Sequence, residues 1–409
     1  MKKFLLCLLA FPFVLLAATP KNVIIMIPDG TGHASLTVTR QLKGAPLALD
    51  AAIYGIISTR SADNSVTDSA AAATAMACGQ RTYNGAIGVD VQQVPLKSIS
   101  ERAHAQGKAV GIVTTDAITG ATPSGFSAHV SQRNHAETII EQQIASGFEV
   151  FFGGGAKYLS EDLKSYLSAQ SYTFVATRDE MNAAEGKLFG LFASNLMTAE
   201  VERRAGVGAS EPTLREMTSK ALDLLARDPD GCFLMVEGAQ IDKGNHEHDL
   251  PWATYECLEF DATVGMVLDW AKQHPDTLVL IAPDHETGGL TVLKEPTEGA
   301  RGKALAAASG KTPKEHKTNH KATYFVNYST NWHTGVDVFL AGNTPSCRPA
   351  RNCDILEAIT GETAYTWTEL KGKTITENGV TWLETPDGKR LRAQRDAIYI
   401  KSTNKWYQR

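Results

Sequence analysis

A serine stands at the start of an alanine-rich segment of the sequence. Thr67 and Asp68 come directly before Ser69, and mostly small residues follow it up to Gly79. Thr67 or Asp68 can cap a helix that begins here, and Gly79 can end it. The first turn of such a helix offers free N–H groups and a positive dipole end, which favour an anion. Ser69 could carry a phosphoryl group there if a neighbour lowers its pKa. Taken alone, the segment fits a buried, capped helix better, so the rest of the chain must decide.

Acidic residues follow several apolar runs of the sequence. Runs rich in Val, Ile and Leu lead to Asp29, Asp116, Glu237 and Asp284. Such runs are typical of buried parallel strands. One acid after a strand usually caps a helix. A repeated pattern predicts carboxylates that converge at the carboxyl edge of one sheet, where open α/β sheets place their sites.

Histidines near these acids have spacings that suit metal binding. Asp242 and His246 are four residues apart, so one turn of a helix would bring both side chains to the same ion. Asp284 and His285 form a second pair, and His333 is a third candidate beside a predicted strand. Buried charges need partners, and mixed nitrogen and oxygen ligands suit zinc. An all-oxygen set would suit magnesium: Asp29, Thr122 and Glu237.

Helical patterns alternate with the apolar runs and would position these residues. The alternation predicts an α/β fold, a doubly wound three-layer sandwich with a largely parallel central sheet. We expect residues 293–322, which are rich in Lys, Thr, Gly and Ala, to form an exposed excursion. The predicted helices are Leu96–Gln106, Asn134–Ala145, Glu161–Ala169, Thr213–Arg227 and Leu250–Gln273.

The two ends of the chain differ from its middle. Residues 1–18 have a positive start and an apolar run, shorter than the ~20 residues of a membrane-spanning helix, which predicts a signal peptide. The mature protein is therefore expected to be periplasmic or secreted, without a membrane span. Residues 19–360 form the predicted catalytic domain. Residues 361–409, with a turn at 386–388, form a predicted small β-rich C-terminal extension of unknown role.

The charge and the cysteines of the chain also bear on its function and on its structure. The net charge of −5 comes without a basic run, which predicts no nucleic-acid-binding module. Export would permit disulfides, and Cys347 with Cys353 is the favoured pair because the two are close in sequence. Cys78 and Cys232 have apolar surroundings and are predicted to fill the core.

Taken in order, the motifs resemble those of the bacterial alkaline phosphatase family, within the alkaline phosphatase/sulfatase superfamily, over about residues 22 to 342. The resemblance implies an exported, metal-dependent phosphatase that hydrolyses small phosphate monoesters at alkaline pH through a phosphoserine. It also implies two zinc ions and one magnesium ion, and it allows a homodimer as well as a monomer. Four of the motifs are short: residues 28–30, 67–70, 284–285 and 333–335. The other two are longer: one begins at 121–123 and includes His129 and Arg133, and the other runs from 237 to 246 and includes 242.

The resemblance assigns a role to each motif residue. Ser69 is the implied nucleophile, and Arg133 would grip two phosphate oxygens, as a planar fork can. Two zinc ions would clamp both ends of an in-line displacement at phosphorus. The implied ligands are Asp242, His246 and His333 for one zinc; Asp29, Asp284, His285 and Ser69 for the other; and Asp29, Thr122 and Glu237 for magnesium.

Two positions depart from the family pattern. Gly120 stands where many relatives carry Asp or His, so the magnesium site is expected to lose an outer ligand. Lys243 then lacks an acidic neighbour in this interpretation, and we hypothesise that it reaches phosphate directly. Asp68 and His129 are predicted to be structural, and His248 to lie at the rim. The run Gly153–Gly155 is predicted to be a turn after a strand.

One motif favours a different chemistry. Cys347-Arg348-Pro349-Ala350-Arg351 matches the pattern in which sulfatases carry formylglycine, but it follows the last metal-binding candidate, and Ser69 already takes the nucleophile position. The alternatives to a phosphomonoesterase are therefore a phosphodiesterase or sulfatase of the same superfamily, or a metal-binding protein without activity.

Overall fold

The computed structural model describes residues 20–294, 298 and 325–408. The predicted signal peptide, 1–18, lies outside the described residues, as does most of the predicted excursion at 293–322. Within the described part, no helix is both long and apolar enough to cross a membrane.

The chain alternates between strands and helices through most of its length. The strands are β1 (Asn22–Pro28), β2 (Ile53–Ile57), β3 (Ala109–Ala117), β4 (Val150–Gly154), β5 (Thr173–Val175), β6 (Leu188–Leu191), β7 (Cys232–Gly238), β8 (Thr277–Ile281), β9 (Glu286–Thr287), β10 (Thr291–Val292), β11 (Val326–Asn327), β12 (His333–Thr334), β13 (Val338–Gly342), β14 (Glu369–Leu370), β15 (Lys373–Glu377), β16 (Val380–Glu384), β17 (Arg390–Arg392), β18 (Ala397–Ile400) and β19 (Lys405–Gln408).

The helices cover both faces of the central sheet. They are α1 (His33–Lys43), α2 (Ser69–Cys78), α3 (Ile99–Ala105), α4 (Ala121–Gly125), α5 (Ala136–Ser146), α6 (Glu161–Ala169), α7 (Arg178–Ala183), α8 (Glu200–Arg203), α9 (Leu214–Leu225), α10 (Gln240–His246), α11 (Leu250–Gln273) and α12 (Ile355–Thr360).

Nine strands form the central sheet in the order β2-β13-β8-β1-β7-β3-β4-β6-β5. Strand β13 is antiparallel to β2 and β8, and the other pairs are parallel. Side chains of a strand alternate between the faces of a sheet. In β1, Ile25 accordingly belongs to a buried apolar cluster with residues of α2, α3, α5, α6 and α12, whereas Ile24 belongs to a second cluster with residues of α1, α9 and α11. This is the predicted three-layer α/β sandwich with a largely parallel sheet.

The predicted helices are found with small changes at their ends. Helices α6 and α11 have the predicted bounds. Helix α3 begins later than expected, because the Ser98 hydroxyl accepts a hydrogen bond from the N–H of Glu101 and thereby caps it. The preceding Leu96 instead forms an isolated bridge with Thr366.

Small β-sheets follow the main domain. Helix α12 ends at Gly361, which has the left-handed conformation. Beyond it, β14, β19 and β18 form one three-stranded sheet, and β15, β16 and β17 form another. The predicted turn at 386–388 joins β16 to β17, where the N–H of Gly388 donates to the Thr385 carbonyl.

The predicted disulfide is wrong, because Cys347 and Cys353 are both free thiols. Cys347 lies in the apolar core with residues of α12, and its sulfur faces the carbonyl of Ala358. The sulfur of Cys353 instead faces the carboxylate of Asp354. Closeness in sequence therefore does not bring the two sulfurs together. Cys78 and Cys232 are fully buried, as predicted.

Candidate active site

Ser69 is the first residue of α2 and is almost fully buried. The helix begins there because the carboxylate of Asp68 accepts a hydrogen bond from the N–H of Ala71 at 3.0 Å. It ends at Gly79, whose left-handed conformation suits a residue without a side chain. The predicted cap and stop are confirmed, with Asp68 as the capping residue. The hydroxyl of Ser69 is thus fixed at the positive end of the helix.

The acids that follow the strands meet at one edge of the sheet. Because β8, β1 and β7 are neighbours, Asp284, Asp29 and Glu237 converge, as the sequence predicts. The N–H of Asp29 donates to the carbonyl of Gly238 at 3.2 Å, and the N–H of Gly30 donates to the carboxylate of Asp284 at 3.1 Å. These backbone bonds hold the carboxylates in place.

A first cluster consists of Asp242, His246 and His333. One turn of α10 separates Asp242 from His246, and Nε2 of His246 lies 3.2 Å from Oδ1 of Asp242. Strand β12 pairs with β9, which brings His333 to the same point. Its Nε2 lies 3.6 Å from Oδ1 of Asp242 and 3.2 Å from Nε2 of His246. The structure therefore brings this predicted set together.

The hydrogen bonds of the two histidines define their protonation. Nδ1 of His246 contacts the carbonyl of Asn331, and Nδ1 of His333 contacts the carbonyl of Thr67 at 2.8 Å. A carbonyl only accepts, so Nδ1 of each ring carries a proton and Nε2 is the atom that can bind a cation when the ring is neutral. Although burial opposes the charged form, the Asp242 carboxylate raises the pKa of His246. Burial, followed by the charge of His285, lowers the pKa of His333 to about 4, which keeps this ring neutral. Two bare nitrogens facing one carboxylate fit a divalent cation between them, with the carbonyls orienting the rings.

A second cluster surrounds Ser69. Nε2 of His285 lies 3.0 Å from Oγ of Ser69, 3.1 Å from Oδ2 of Asp284 and 3.6 Å from Oδ1 of Asp29. Those two carboxylate oxygens are buried and have no hydrogen-bond partner among the described residues. Burial, followed by the charge of Asp284, raises the pKa of Asp29 well above its ordinary value. Buried carboxylates in this state fit a bound cation, since charges without partners are costly in the interior.

Asp242 lies between the two clusters. Its ligand atom falls within 4.8 Å of those of His246 and His333, and also of those of Asp29 and His285. Although burial opposes the charged form, Lys243 and His246 hold the pKa of Asp242 well below its usual range. The two clusters therefore share an ionised carboxylate.

The all-oxygen set combines Asp29 with Glu237 and Thr122, and the charge of Glu237 acts on Asp29. Glu237 is buried at the end of β7 and accepts a hydrogen bond from the hydroxyl of Thr114. Thr122, also buried on α4, has a hydroxyl that acts on the same carboxylate and partly lowers its pKa. Burial and then the charge of Asp116 have the larger effect, and together they raise the pKa of Glu237 to about 8.

An open cleft of about 400 Å³ leads to Ser69. Arg133 lies in its wall, where Nη1 is 3.0 Å from Oδ2 of Asp68 and the side chain is 37% exposed. The N–H of Arg133 donates to the carbonyl of Gly85 at 2.8 Å, which fixes the backbone of this residue. The guanidinium is thus anchored by one edge. Other residues of the lining are Lys243, His246, Trp332 and His333.

Comparisons with known proteins agree with this geometry. The family model described as alkaline phosphatase matches residues 20–338. The chain belongs to the alkaline phosphatase family. Alkaline phosphatase 3 of Bacillus subtilis (strain 168) is 36% identical over 292 residues, which cover 66% of this chain and 62% of that protein. The chain therefore matches less than two thirds of that relative's length.

Solved structures of family members extend the comparison. A cold-active alkaline phosphatase from Shewanella sp. has 28% identity and a TM-score of 0.74, covering 83% of this chain and 99% of the other. A variant of the alkaline phosphatase of the Antarctic bacterium TAB5, solved with Mg bound in its M3 site, has 30% identity and a TM-score of 0.71. The match covers 84% of this chain and 97% of that one.

For this member of the alkaline phosphatase family, the expectation that Lys243 lacks an acidic neighbour is wrong. Lys243 does have acidic neighbours: its Nζ lies 3.0 Å from Oδ2 of Asp242, and the charge of Asp116 acts on it as well. Although burial opposes a charged amine, these two carboxylates raise the pKa of Lys243. The amine donates to Asp242 and also lines the cleft, and an ammonium has three donors, so its contact with phosphate stays a prediction.

The residues predicted to be structural have structural contacts. Asp68 caps α2 and pairs with Arg133, as expected. The ring nitrogens of the buried His129 contact the Gly88 carbonyl and the Glu101 carboxylate, each at 2.8 Å. His248 is half-buried against Tyr328. Of the predicted glycine turn, the first two residues end β4, and Gly155 follows it in the left-handed conformation.

The sulfatase-like motif lies away from the cleft. Cys347 is in the apolar core beneath α12, and its carbonyl accepts a hydrogen bond from the hydroxyl of Tyr54 at 2.8 Å. It is not among the residues that line the cleft around Ser69. This placement favours a core role for the cysteine.

Sequence analysis missed Thr287. Its hydroxyl donates to Oδ1 of Asp242 at 2.6 Å and lies 3.2 Å from Nδ1 of His285, so it orients one residue of each cluster. A signal was present, because Thr287 follows His285 by two residues, and alternate residues of an extended chain point the same way. The carbonyls of Thr67 and Asn331, which orient the other two rings, have no such signal.

Proposed function

We propose that the protein is an exported phosphomonoesterase that acts through a phosphoserine at Ser69. The observation that carries this proposal is the position of Ser69 Oγ, 3.0 Å from Nε2 of His285, at the N-terminus of α2 and beside two clusters of bare imidazole nitrogens and carboxylates. Membership of the alkaline phosphatase family supports the same reaction class.

The donor sets support three metal ions. We assign two zinc ions and one magnesium ion, because mixed nitrogen and oxygen sets suit zinc and oxygen-only sets suit magnesium. Bound there, the ions would supply the positive charge that lowers the pKa of the serine hydroxyl and stabilises the leaving alkoxide. The residues proposed to hold them are Asp242, His246 and His333; Asp29, Asp284, His285 and Ser69; and Asp29, Thr122 and Glu237.

The chain's own residues perform the positioning. Arg133 presents the free edge of its guanidinium to two phosphate oxygens, while Asp68 holds the other edge. Ser69 Oγ, after losing its proton to water, then attacks phosphorus; a new Oγ–P bond forms, the bond from phosphorus to the ester oxygen breaks, and the leaving alkoxide takes up a proton from water to become the alcohol. Water next attacks the phosphoserine, which releases phosphate and restores the hydroxyl. The open cleft suits small phosphate monoesters.

Export, assembly and the domain boundaries belong to the same proposal. We propose that residues 1–18 act as a signal peptide and direct the protein to the periplasm or the medium. We further propose a catalytic domain of residues 19–360 with an extension of 361–409, and a homodimer. The amino-terminal sequence of protein recovered from the periplasm and light scattering of the purified protein test export and assembly.

The decisive test compares three esters. Protein loaded with zinc and magnesium should hydrolyse an aryl phosphomonoester at alkaline pH faster than the corresponding diester or sulfate. Ser69→Ala should lose this activity, and quenching wild type at acid pH should leave one phosphoryl group on the peptide that contains Ser69. Ser35→Ala is the matched control, since Ser35 is also a buried serine on a helix. Faster hydrolysis of the diester or sulfate would favour the related activities, and no turnover of any ester would contradict the proposal.

A further inference from the structure

The carboxylate of Asp116 fills the space beside Gly120. Asp116 is near the end of β3, and Gly120 precedes α4, the helix that carries Thr122. A Cβ atom on Gly120 would lie 2.7 Å from Oδ2 of Asp116 and 2.9 Å from the carbonyl oxygen of Ala117. Both distances are too short for a real Cβ atom. A side chain at 120 and the present carboxylate of Asp116 therefore exclude each other.

Local hydrogen bonds hold Asp116 in this place. Its N–H donates to the hydroxyl of Thr114 at 2.8 Å, and its Oδ1 accepts from the N–H of Ala117 at 2.6 Å. The same Thr114 hydroxyl donates to Glu237. One threonine thus connects Asp116 to a residue proposed to bind magnesium, and Oδ2 of Asp116 is left on the side of Gly120.

The charge of Asp116 acts on residues around the cleft from three different elements. After burial, it is the largest influence that raises the pKa of Glu237 on β7. It also helps to raise the pKa of Lys243 on α10 and that of Arg133 in the loop before α5. These influences agree with the position of Oδ2 beside Gly120, at the start of the helix that carries Thr122.

We propose that Asp116 supplies the magnesium site with the outer carboxylate that Gly120 cannot provide. This inference rests on the proposed magnesium site at Asp29, Thr122 and Glu237. Magnesium usually keeps several of its water molecules, and these need acceptors. Asp116 acts as a positioning residue that accepts from such water and opposes the charge of Lys243. Asp116 thus takes the role of the acidic group expected at position 120, from a position four residues earlier in the sequence.

Magnesium affinity separates this role from a purely structural one. Zinc-loaded wild type, Asp116→Asn and the control Asp228→Asn are titrated with MgCl₂ in a calorimeter. Asp228 is a fair control because it is half-buried and also accepts a backbone N–H, at the opposite edge of the sheet. Loss of a partner outside the ligand set typically weakens metal binding ~10–100-fold, so we expect about tenfold weaker binding for Asp116→Asn and no change for Asp228→Asn.

A double variant tests whether a carboxylate at position 120 can replace the carboxylate of Asp116. Asp116→Ser with Gly120→Asp moves the carboxylate into the vacated space and, once the Ala117 carbonyl has shifted slightly to admit the new Cβ, should restore magnesium affinity to within about threefold of wild type. Gly120→Asp alone places two carboxylates in the same space and should lower the unfolding temperature. If Asp116→Asn does not fold, the double variant still tests the inference. Magnesium binding about tenfold weaker in the double variant than in wild type would overturn the inference.

Two further outcomes would overturn the inference. If Asp116→Asn unfolds at a lower temperature with and without magnesium but binds it as wild type does, Asp116 only stabilises the turn. If zinc-loaded wild type hydrolyses phosphomonoesters but binds no magnesium, the proposed magnesium site fails as well. Absence of hydrolysis by every protein, despite normal magnesium binding, would instead contradict the proposed function alone.

Discussion

The Nε2 atoms of His246 and His333 lie 3.2 Å apart and face the same oxygen of Asp242. Each ring donates its Nδ1 proton to a backbone carbonyl, so the two Nε2 atoms are the ones left to face Asp242. Two imidazole nitrogens and a carboxylate oxygen around one point form a donor set that suits a zinc ion. We therefore expect the zinc content of the protein to depend on each of these two histidines.

His246→Ala should remove one zinc ion from the protein. Loss of one of three ligands should lower phosphomonoesterase activity at least ~100-fold, given that even an outer partner contributes 10–100-fold. Zinc is counted by elemental mass spectrometry after dialysis. His248→Ala is the matched control, because its ring lies two residues away and contacts the carbonyl of Thr330. Equal zinc content in both variants would contradict the first cluster as a zinc site.

Zinc should also stabilise the fold. A ligand that binds only the native state raises the unfolding temperature with its concentration. Protein treated with a chelator should therefore unfold at a lower temperature than zinc-loaded protein, and stepwise addition of zinc should reverse the change in wild type. In His246→Ala the reversal should be smaller. An unfolding temperature that does not respond to zinc would show that the clusters are satisfied without an ion.

Arg133→Ala should weaken the binding of inorganic phosphate. Hydrogen bonds to charged groups contribute about 1.5–3 kcal/mol, so the inhibition constant should rise roughly 10–100-fold. Arg133→Lys should not restore it, because an ammonium cannot bind two oxygens with a planar fork. Arg351→Ala serves as the control, since that arginine pairs with Asp354 on the exposed surface. Unchanged competitive inhibition by phosphate would remove Arg133 from the proposed site.

Much of the site was predictable because its parts are local in sequence. A β-branched run followed by Asp29, or Asp242 four residues before His246, determines direction and spacing without knowledge of the rest of the fold. Contacts across the chain were not predictable. That the Asp116 carboxylate leaves no room for a side chain at Gly120 depends on the position of that carboxylate in the fold. That Cys347 does not pair with Cys353 depends on how Cys347 packs beneath α12.

The stability of the protein should fall as pH rises from about 5 to 7 through Glu200. Burial, followed by the charge of Glu259, raises the pKa of Glu200 from 4.5 to about 7. The folded state then holds more protons than the unfolded state between these values, so the free energy of unfolding decreases with pH across this window. The loss is nearly complete at pH 8 and is on the order of 3 kcal/mol, at about 1.4 kcal/mol per pKa unit.

Glu200→Gln should remove this part of the pH dependence. Urea unfolding of metal-free protein at pH 5 and pH 8 measures it as the difference between wild type and variant. Glu202→Gln, a nearby change on the same helix, is the control. The variant at 200 should gain stability relative to wild type at pH 8 and little at pH 5. A gain of the same size at both pH values would mean that the pKa of Glu200 is not raised by folding.

The C-terminal sheets should unfold together with the main domain. Ile398 on β18 is fully buried against Ala86 and Val89. Residues 83–87 also support the loop before α5 that carries Arg133, because Ile87 pairs with Val130 and the hydroxyl of Tyr83 donates to the carbonyl of Ser131. Ile398→Ala creates a cavity that should cost about 2–5 kcal/mol.

The form of the unfolding curve decides whether this coupling exists. If the two parts are coupled, Ile398→Ala shifts one cooperative urea transition, and the inhibition constant for phosphate rises because the loop of Arg133 loses support. Ile375→Ala, in the half-buried sheet of β15 to β17, should change both quantities much less. An early separate transition in Ile398→Ala, with phosphate inhibition unchanged, would show that residues 361–409 fold as an independent unit. The contacts of Ile398 with Ala86 and Val89 favour the coupled outcome, since removing the extension would expose this apolar surface to water.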